Sequence, residues 1–581
     1  MKSYKKKQTR FFTYFILSMM IVVLVIVSCS PKEQTSSSEQ LADIIKTVEA
    51  FQIYDKKDYP LGKTSETLVK EDAEFAQSQI DHLNVVQAKN LSETENISRE
   101  LLAFTLQEKI DSYTYKIYLR GNWSFHVNLN YKINPILAYS DAKKYLEVLN
   151  DFPRYAEQYF LLLRQGLKEG MSDPKVIFNG FQSTFDDHIV EDYTKSDFYS
   201  PFKNLPDVLT QEQKDSVLVA AKKAIKENVV PTFKKIKTFF EEEYIPDTRE
   251  RIGVSDTPGG KEFYQNRINY FTTSNEYTAN DIHEIGLGEV ARIKGEMEKI
   301  IKKVGFKGSF QDFLTFLRTD KQFYETQGEE LLKDARNIAK KIDAKLPEFF
   351  IKLPRRPYGV IKVPDAIAPT YTGGRYSPSS SDTRPGYYLV NTFKLDSRPL
   401  YVLPALTAHE AVPGHHLQMA LNSELGDSIP KFRKEMYLSA FGEGWGLYSE
   451  FLANEMGVYT TPYEEFGKLT YEMWRACRLV VDTGIHSKGW TREQVVNYLL
   501  SNTALSEHEV NTETDRYIGV PGQAISYKIG ELKIRELRKK AEKALGPRFD
   551  IRNFHEIVLG QGTVTLPILE RRVNSYISGN N

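Results

Sequence analysis

The chain has 581 residues, 41% of them apolar and 27% charged, enough to bury a sizeable core. Lysine plus arginine number 77, as do aspartate plus glutamate, so no basic field points to a nucleic-acid partner. There are 2 cysteines, one of them at position 29, and once an N-terminal leader is removed before it no internal disulfide is expected.

The chain opens on Met1-Lys2-Ser3-Tyr4-Lys5-Lys6-Lys7, runs through an apolar stretch over residues 11–27 and reaches Ile26-Val27-Ser28-Cys29. A basic start, an apolar centre and small residues at the end describe an export signal. The residues before Cys29 look like a bacterial lipoprotein box. That implies cleavage before Cys29, lipid on its sulfur, and a protein tethered in the bacterial cell envelope at the outer membrane or cell surface. A retained membrane anchor is the competing reading, because the apolar run nearly spans a bilayer. Residues 30–40 read as a polar linker, with no acidic residue directly after the cysteine.

Beyond it, apolar residues at three- and four-residue spacing predict helices over 41–52, 139–166, 214–244, 279–304, 328–346, 403–421, 431–457, 463–483, 491–502 and 527–545. Strand signals are few, near 349–366 and 387–392. The expected fold is mainly α: two helical lobes, 41–260 and 261–581, around a deep cleft, with a small β-sheet next to the helix of 403–421. The boundary is placed within 246–276, where proline, glycine and charge accumulate. No transmembrane span is expected past residue 28, and no internal repeat is found.

The segment His409-Glu410-Ala411-Val412-Pro413-Gly414-His415-His416 holds three of the chain's 10 histidines. A zinc hydrolase needs neutral imidazoles on one face, a third protein ligand, an open position for water and a carboxylate to take the water's proton. The common spelling H-E-x-x-H works because residues four apart stack along a helix, but here the fourth position after His409 is Pro413. On a regular helix His415 lies roughly 9 Å along the axis from His409 and about 120° out of phase, and His416 is in phase but about 10.5 Å away. Pro413 cannot donate to the carbonyl of His409, and Gly414 tolerates unusual dihedrals. A bulge is therefore expected, returning the second imidazole to the metal. The Gly-His pairing favours His415 and helical phase favours His416; His415 is preferred, and both stay candidates. His283-Glu284 has no second histidine at a useful spacing and reads as surface or capping.

The third ligand should be a carboxylate on a following helix, and Glu443 in Phe441-Gly442-Glu443-Gly444-Trp445-Gly446-Leu447-Tyr448-Ser449-Glu450 is the best candidate. The small residues beside it let a helix approach closely, and Trp445 and Tyr448 are placed to wall the cavity. Glu450 is either a partner orienting an imidazole or the solvated end of that helix. Arg475, Arg478 and Asp482 lie at helical spacings and read as a buried ion-pair network. Residues 384–392 form a short β-rich run entered by a turn, an edge strand on which Tyr387 and Tyr388 would meet an extended substrate. Residues 369–385, rich in Ser, Gly, Tyr and Pro, read as a loop overhanging the cleft.

From Tyr387 onward the chain resembles a bacterial family of unknown-function domains marked by HE-x-x-PGHH-x-Q, EGW-x-x-Y-x-E and R-x-R-L-V-x-D-x-G-x-H. Here these stand at residues 409–418 and 443–450 and, as a close variant, 475–486; Arg516-Tyr517, Pro521-Gly522-Gln523-Ala524 and Ser526-Tyr527-Lys528-Ile529-Gly530 follow. Looser matches such as Gln165-Gly166-Leu167-Lys168-Glu169-Gly170 extend the resemblance over residues 40–577. That family in turn resembles the helical zinc peptidases in which two histidines and a downstream glutamate hold zinc: thimet-type oligopeptidases, angiotensin-converting-enzyme-like dipeptidyl carboxypeptidases and carboxypeptidase Taq. The longer gap between the first and second histidines is the departure.

The resemblance implies amide hydrolysis with zinc as cofactor and Glu410 as the general base that passes its proton to the leaving amine. It also implies an oxyanion donor C-terminal to the metal helices, for which Tyr527 is preferred over Tyr517. His486 and His508 are further candidates for bonding substrate or the oxyanion, and the planar fork of Arg516 suits a substrate carboxylate. The expected function is an exported, membrane-tethered zinc peptidase, monomer or homodimer, acting on short peptides, with carboxypeptidase or dipeptidyl carboxypeptidase action as the expected type. The alternative is a non-catalytic lipoprotein that captures peptides or metal, which Glu410 beside an imidazole disfavours.

Overall fold

The computed structural model describes residues 36–365, 367–379 and 383–579; the export signal and Cys29 lie outside them. The first helix, Ser37–Ala50, starts where Ser36 accepts from the Glu39 amide and the Glu39 carboxylate accepts from the Ser36 amide at 2.8 Å. This reciprocal cap ends the linker before Gln40. Two further helices, Glu66–Val85 and Glu93–Thr114, pack on each other under serine caps at Ser65 and Ser92. Their apolar patterning is too weak to have announced them.

The helix Tyr139–Lys168 forms as expected. The stretch expected as one helix over 214–244 runs from Gln211 to Tyr244, but with π turns at Ile225–Val229 and Phe239–Tyr244. Between these helices aromatic rings meet edge to face, as in Phe125 with Phe160 at 6.0 Å and Phe181 with Phe240 at 5.2 Å, a geometry favoured by the ring quadrupole. The main apolar core joins residues as far apart as Phe233 and Trp474.

The helices that build the site are α1 (Ala279–Lys303), α2 (Leu403–Glu410), α3 (His415–Ser423), α4 (Ser439–Glu455), α5 (Pro462–Lys488), α6 (Glu507–Gly519) and α7 (Ser526–Leu545). Thr461 and Glu464 close a reciprocal cap at the start of α5, Pro462 sits in its first turn, and Gly489 at φ 70° ends it, where a left-handed residue costs only glycine nothing. Between these stops α5 is apolar or buried on every side from Leu469 to His486, as befits a helix in the core. Its buried Met473, Leu479, Val480, Val481 and Ile485 each stabilise by about 1.5–3 kcal/mol. Gly444 lets α4 lie against α7: a Cβ there would sit 2.6 Å from the backbone of Gly530.

A three-stranded sheet lies beside α2, with β1 (Tyr358–Lys362), β2 (Gly374–Ser377) and β3 (Gly386–Val390) in the order β1-β3-β2. β1 runs parallel to β3 from the pair Tyr358 and Gly386, and β2 runs antiparallel with Tyr376 opposite Tyr388. The run expected as an edge strand, 387–392, is thus the central strand. The edge facing α2 is β2, inside a stretch that reads as loop; its four residues, Gly-Arg-Tyr-Ser, are too few and too polar to show a period of two. The fold is mainly α with this one small sheet, and no described helix is long and apolar enough to cross a membrane.

Candidate metal centre

The helix expected over 403–421 breaks in two where Pro413 demands it. α2 ends at Glu410, Ala411 and Gly414 take non-helical backbone angles, and α3 starts at His415. The Gly414 amide donates back to the Ala408 carbonyl at 3.0 Å and the His416 amide to the Ala411 carbonyl at 3.0 Å. A Cβ on Gly414 would fall 1.9 Å from the His409 carbonyl, so only glycine allows the chain to fold back this closely.

The fold-back brings the imidazoles of His409 and His415 to ring centres 4.7 Å apart with planes at 88°. Both Nε2 atoms lie 3.4 Å from Glu443 Oε2 on α4, and the three ligand atoms are all within 4.8 Å of one another. A separation of 3.4 Å is long for a hydrogen bond. It matches the roughly 3.4 Å edge of a tetrahedron whose bonds are ~2.1 Å, the zinc–nitrogen and zinc–oxygen length. Two imidazoles and one carboxylate are also a donor set that zinc takes, so these residues fit a zinc ion. His416, kept as a candidate ligand on grounds of phase, is excluded by the break: its Nδ1 lies 3.0 Å from Tyr376 Oη and its ring packs on Tyr358. Burial pushes His416 down to about 4.

The carboxylates behind the ligands hold them in place. Glu450 Oε1 lies 2.8 Å from His409 Nδ1 and Tyr437 Oη donates to Glu443 Oε1 at 2.7 Å. Glu450 is buried, not the solvated end of its helix. Burial opposes a charge on His409, but Glu443 and Glu450 outweigh it and raise the imidazole to about 9. Burial likewise opposes the charge on Glu443, yet His415 and His409 hold it well below the usual carboxylate range. Gly446 makes room for the first ligand, since a Cβ there would lie 2.6 Å from His409 Cε1. Trp445 and Tyr448, expected as cavity walls, stand in the core behind the ligands. The Trp445 indole donates to the Pro413 carbonyl at 2.8 Å and pins the turn, and Tyr448 Oη meets His555 Nε2 at 2.8 Å.

The ligands open on a cavity of about 580 Å³, within the usual range of ligand sites. Glu410 borders it, its Oε2 accepting from the Tyr376 amide on β2 at 2.7 Å. Residues 372–376 and 378 form one wall, so the segment expected to overhang the cleft does line it. Tyr527 and Arg516 also border it. The Tyr527 hydroxyl has no hydrogen-bond partner among the described residues. Arg516 is tied to Glu513 at 2.8 Å and to Gln523.

Several expected site residues lie elsewhere. The buried Tyr517 hydroxyl accepts from Trp474 Nε1 and Arg478 Nε, each at 2.8 Å, which makes it a hub of the core and not an oxyanion donor. His486 is sealed, with Nδ1 accepting from the Val254 amide at 3.2 Å and Nε2 at 2.9 Å from the Tyr517 carbonyl. His508 is exposed on α6 and does not border the cavity. Tyr387 and Tyr388 lie on the central strand, away from the lining, with Tyr388 packed into the core. His283, expected at the surface, is buried with Nδ1 2.8 Å from Thr483 Oγ1. Of the expected ion-pair network, Arg475 does meet Glu450 at 3.5 Å and Arg478 meets Glu513 at 3.1 Å, but Asp482 instead accepts from the Tyr264 hydroxyl at 2.6 Å and the Gly522 amide. The residues missed are Tyr376, Tyr437, Glu509 and Glu513; the spacing of Glu509, Glu513 and Arg516, four and three residues apart, was the one signal available.

The fold and site together define a mainly α protein with a buried two-histidine, one-glutamate centre at the floor of a cavity. The chain belongs to the family described as "Bacterial protein of unknown function (DUF885)", which matches residues 48–573. It is similar to the crystal structure of a "putative lipoprotein from Colwellia psychrerythraea", 29% identical, with 94% of this chain and 100% of that chain covered and a TM-score of 0.85. A "putative lipoprotein of unknown function from Shewanella oneidensis" shares the fold at 18% identity, with coverage of 92% and 99% and a TM-score of 0.65. No curated protein matches the chain.

Proposed function

We propose that this chain is a zinc metallopeptidase of the bacterial cell envelope that hydrolyses short peptides. The observation that carries the reading is the convergence of His409, His415 and Glu443 on one point, with Glu410 bordering the same cavity. Zinc held there supplies Lewis acidity, which acidifies water and polarises an amide carbonyl. Glu410 is positioned by the Tyr376 amide at one oxygen, leaving the other to accept a proton from water and return it to the departing amine. Tyr527 offers the cavity a hydroxyl that can donate to an oxyanion. β2 pairs with β3 on one side only, and its other edge is turned to the site, where the Tyr376 amide meets Glu410 and the Gly374 carbonyl meets Thr372.

Attachment through lipid on Cys29 is supported by the sequence Ile26-Val27-Ser28-Cys29 and by the description of both structural relatives as lipoproteins. Incubating the protein with a mixed peptide library and following products by mass spectrometry, with and without a chelator, tests the activity. Cleavage that the chelator stops is expected. Intact peptides beside tight zinc binding would instead make the protein a capture module.

A further inference from the structure

A second part of the cavity lining is built by α5 and α6, and it carries guanidinium groups at helical spacing. α5 contributes Trp474, Arg475 and Arg478, and α6 contributes Glu509, Glu513 and Arg516. Arg478 is 3% exposed. Its guanidinium is clamped between the Trp474 ring at 4.2 Å and the Tyr527 ring at 4.4 Å, so its planar fork is held in one orientation. Nε donates to Tyr517 and Nη2 to Glu513, while Nη1 is buried with no partner. A buried donor without an acceptor is costly, and such a group calls for an explanation.

The charges of the wall do not balance. Glu513 alone serves both Arg478, at 3.1 Å, and Arg516, at 2.8 Å, and the remaining fork nitrogen of Arg516 rests on the neutral amide of Gln523. Burial works against the charge of Glu513, but Arg516 and Arg478 hold it down to about 2, so it stays ionised. Burial pushes Glu509 up to about 7, so at neutral pH it offers only part of a negative charge. The unpartnered Nη1 of Arg478 therefore leaves the wall one acceptor short. A planar, singly charged carboxylate fits the fork and the flanking aromatic rings, whereas a phosphate dianion would also face Glu509 and Glu513.

We propose that Arg478 and Arg516 form a carboxylate-binding subsite, which takes either the free C-terminus of a peptide or an acidic side chain. The inference rests on the reading of the cavity as a peptide site. It commits the substrate class to peptides that carry a carboxylate within reach of the metal centre.

Calorimetry on the full chain bearing Glu410→Gln, loaded with zinc so that peptide is not consumed, tests it. Four short peptides are compared, with a free or amidated C-terminus and with one internal glutamate or glutamine. Removing the carboxylate that the subsite holds is expected to weaken binding by about tenfold or more, and which change does so identifies its source. Arg478→Lys, which keeps the charge and loses the fork, is expected to erase the difference. The same four peptides binding alike, none binding, or a preference that survives in Arg478→Lys would overturn the subsite. If that variant does not fold, the acid and amide pair in the Arg478 protein still decides. Cleavage by the unmodified chain is scored separately. Chelator-sensitive cleavage with indifferent binding rejects the subsite and keeps the peptidase, and discriminating binding without cleavage does the reverse.

Discussion

Glu450 Oε1 lies 2.8 Å from Nδ1 of His409, while Nε2 of the same ring faces Glu443 Oε2 at 3.4 Å. The carboxylate selects the tautomer that zinc would use: it holds the proton on Nδ1, so that zinc, on displacing the proton from Nε2, would meet a ring made a better donor. Glu450→Gln is expected to lower zinc affinity about 10- to 100-fold without changing helix content. Competition against a chromophoric chelator measures it, and an affinity equal to that of the unmodified chain would contradict the role.

His415 and His416 are neighbours with separate duties. His415→Ala should lose bound zinc, because it removes one of three ligands. His416→Ala should keep zinc but weaken the fold by about 1–3 kcal/mol, since it leaves the buried Tyr376 hydroxyl without its partner. Metal analysis and denaturant titration of both variants separate the two; loss of zinc in His416→Ala alone would invert the assignment.

Gly446→Ala places a methyl where the His409 ring now sits, 2.6 Å from Cε1 and 2.7 Å from Nε2. The ring must move while α4 keeps its backbone. Zinc binding should fall by well over tenfold with a near-normal circular dichroism spectrum, and a variant that binds zinc normally would mean that the packing around His409 is looser than described.

The residues that converge were legible because they cluster: three histidines and a carboxylate in eight residues, then Glu443 among glycines that only a close helix contact explains. Which of His415 and His416 joins His409 was not, since it depends on how Ala411 and Gly414 turn the chain, and helical phase points to the neighbour that the turn carries to Tyr376. His486 and Tyr517 read as site residues because their types carry chemistry. In the fold each spends its polar atoms on the other and on Val254, Trp474 and Arg478. β2 escaped notice because four mostly polar residues have no period, although Tyr376 on that strand orients Glu410. The long helices were visible from apolar spacing; Glu66–Val85 and Glu93–Thr114 were not, because they bury few residues on a narrow stripe.

Burial pushes His126, His486 and His555 each down to about 3. Their folded values lie below the ordinary histidine value of about 6.5, so the unfolded chain takes up protons first. Stability is then complete above about pH 6.5 and falls as the pH drops from there toward 3, by about 2 kcal/mol per histidine at pH 5 relative to pH 7. Denaturant midpoints across that range check it, and a flat profile from pH 7 to 5 would show that these rings are not buried neutral.

The most direct test of the proposed chemistry is a paired measurement of zinc content and peptide hydrolysis in Glu410→Gln. Glu410 is not one of the three ligands, so the variant should hold one zinc per chain like the unmodified protein, and its chelator-sensitive hydrolysis should fall by about 10²- to 10⁴-fold. Hydrolysis at the unmodified rate in this variant, or hydrolysis that persists after zinc is stripped, would contradict the account.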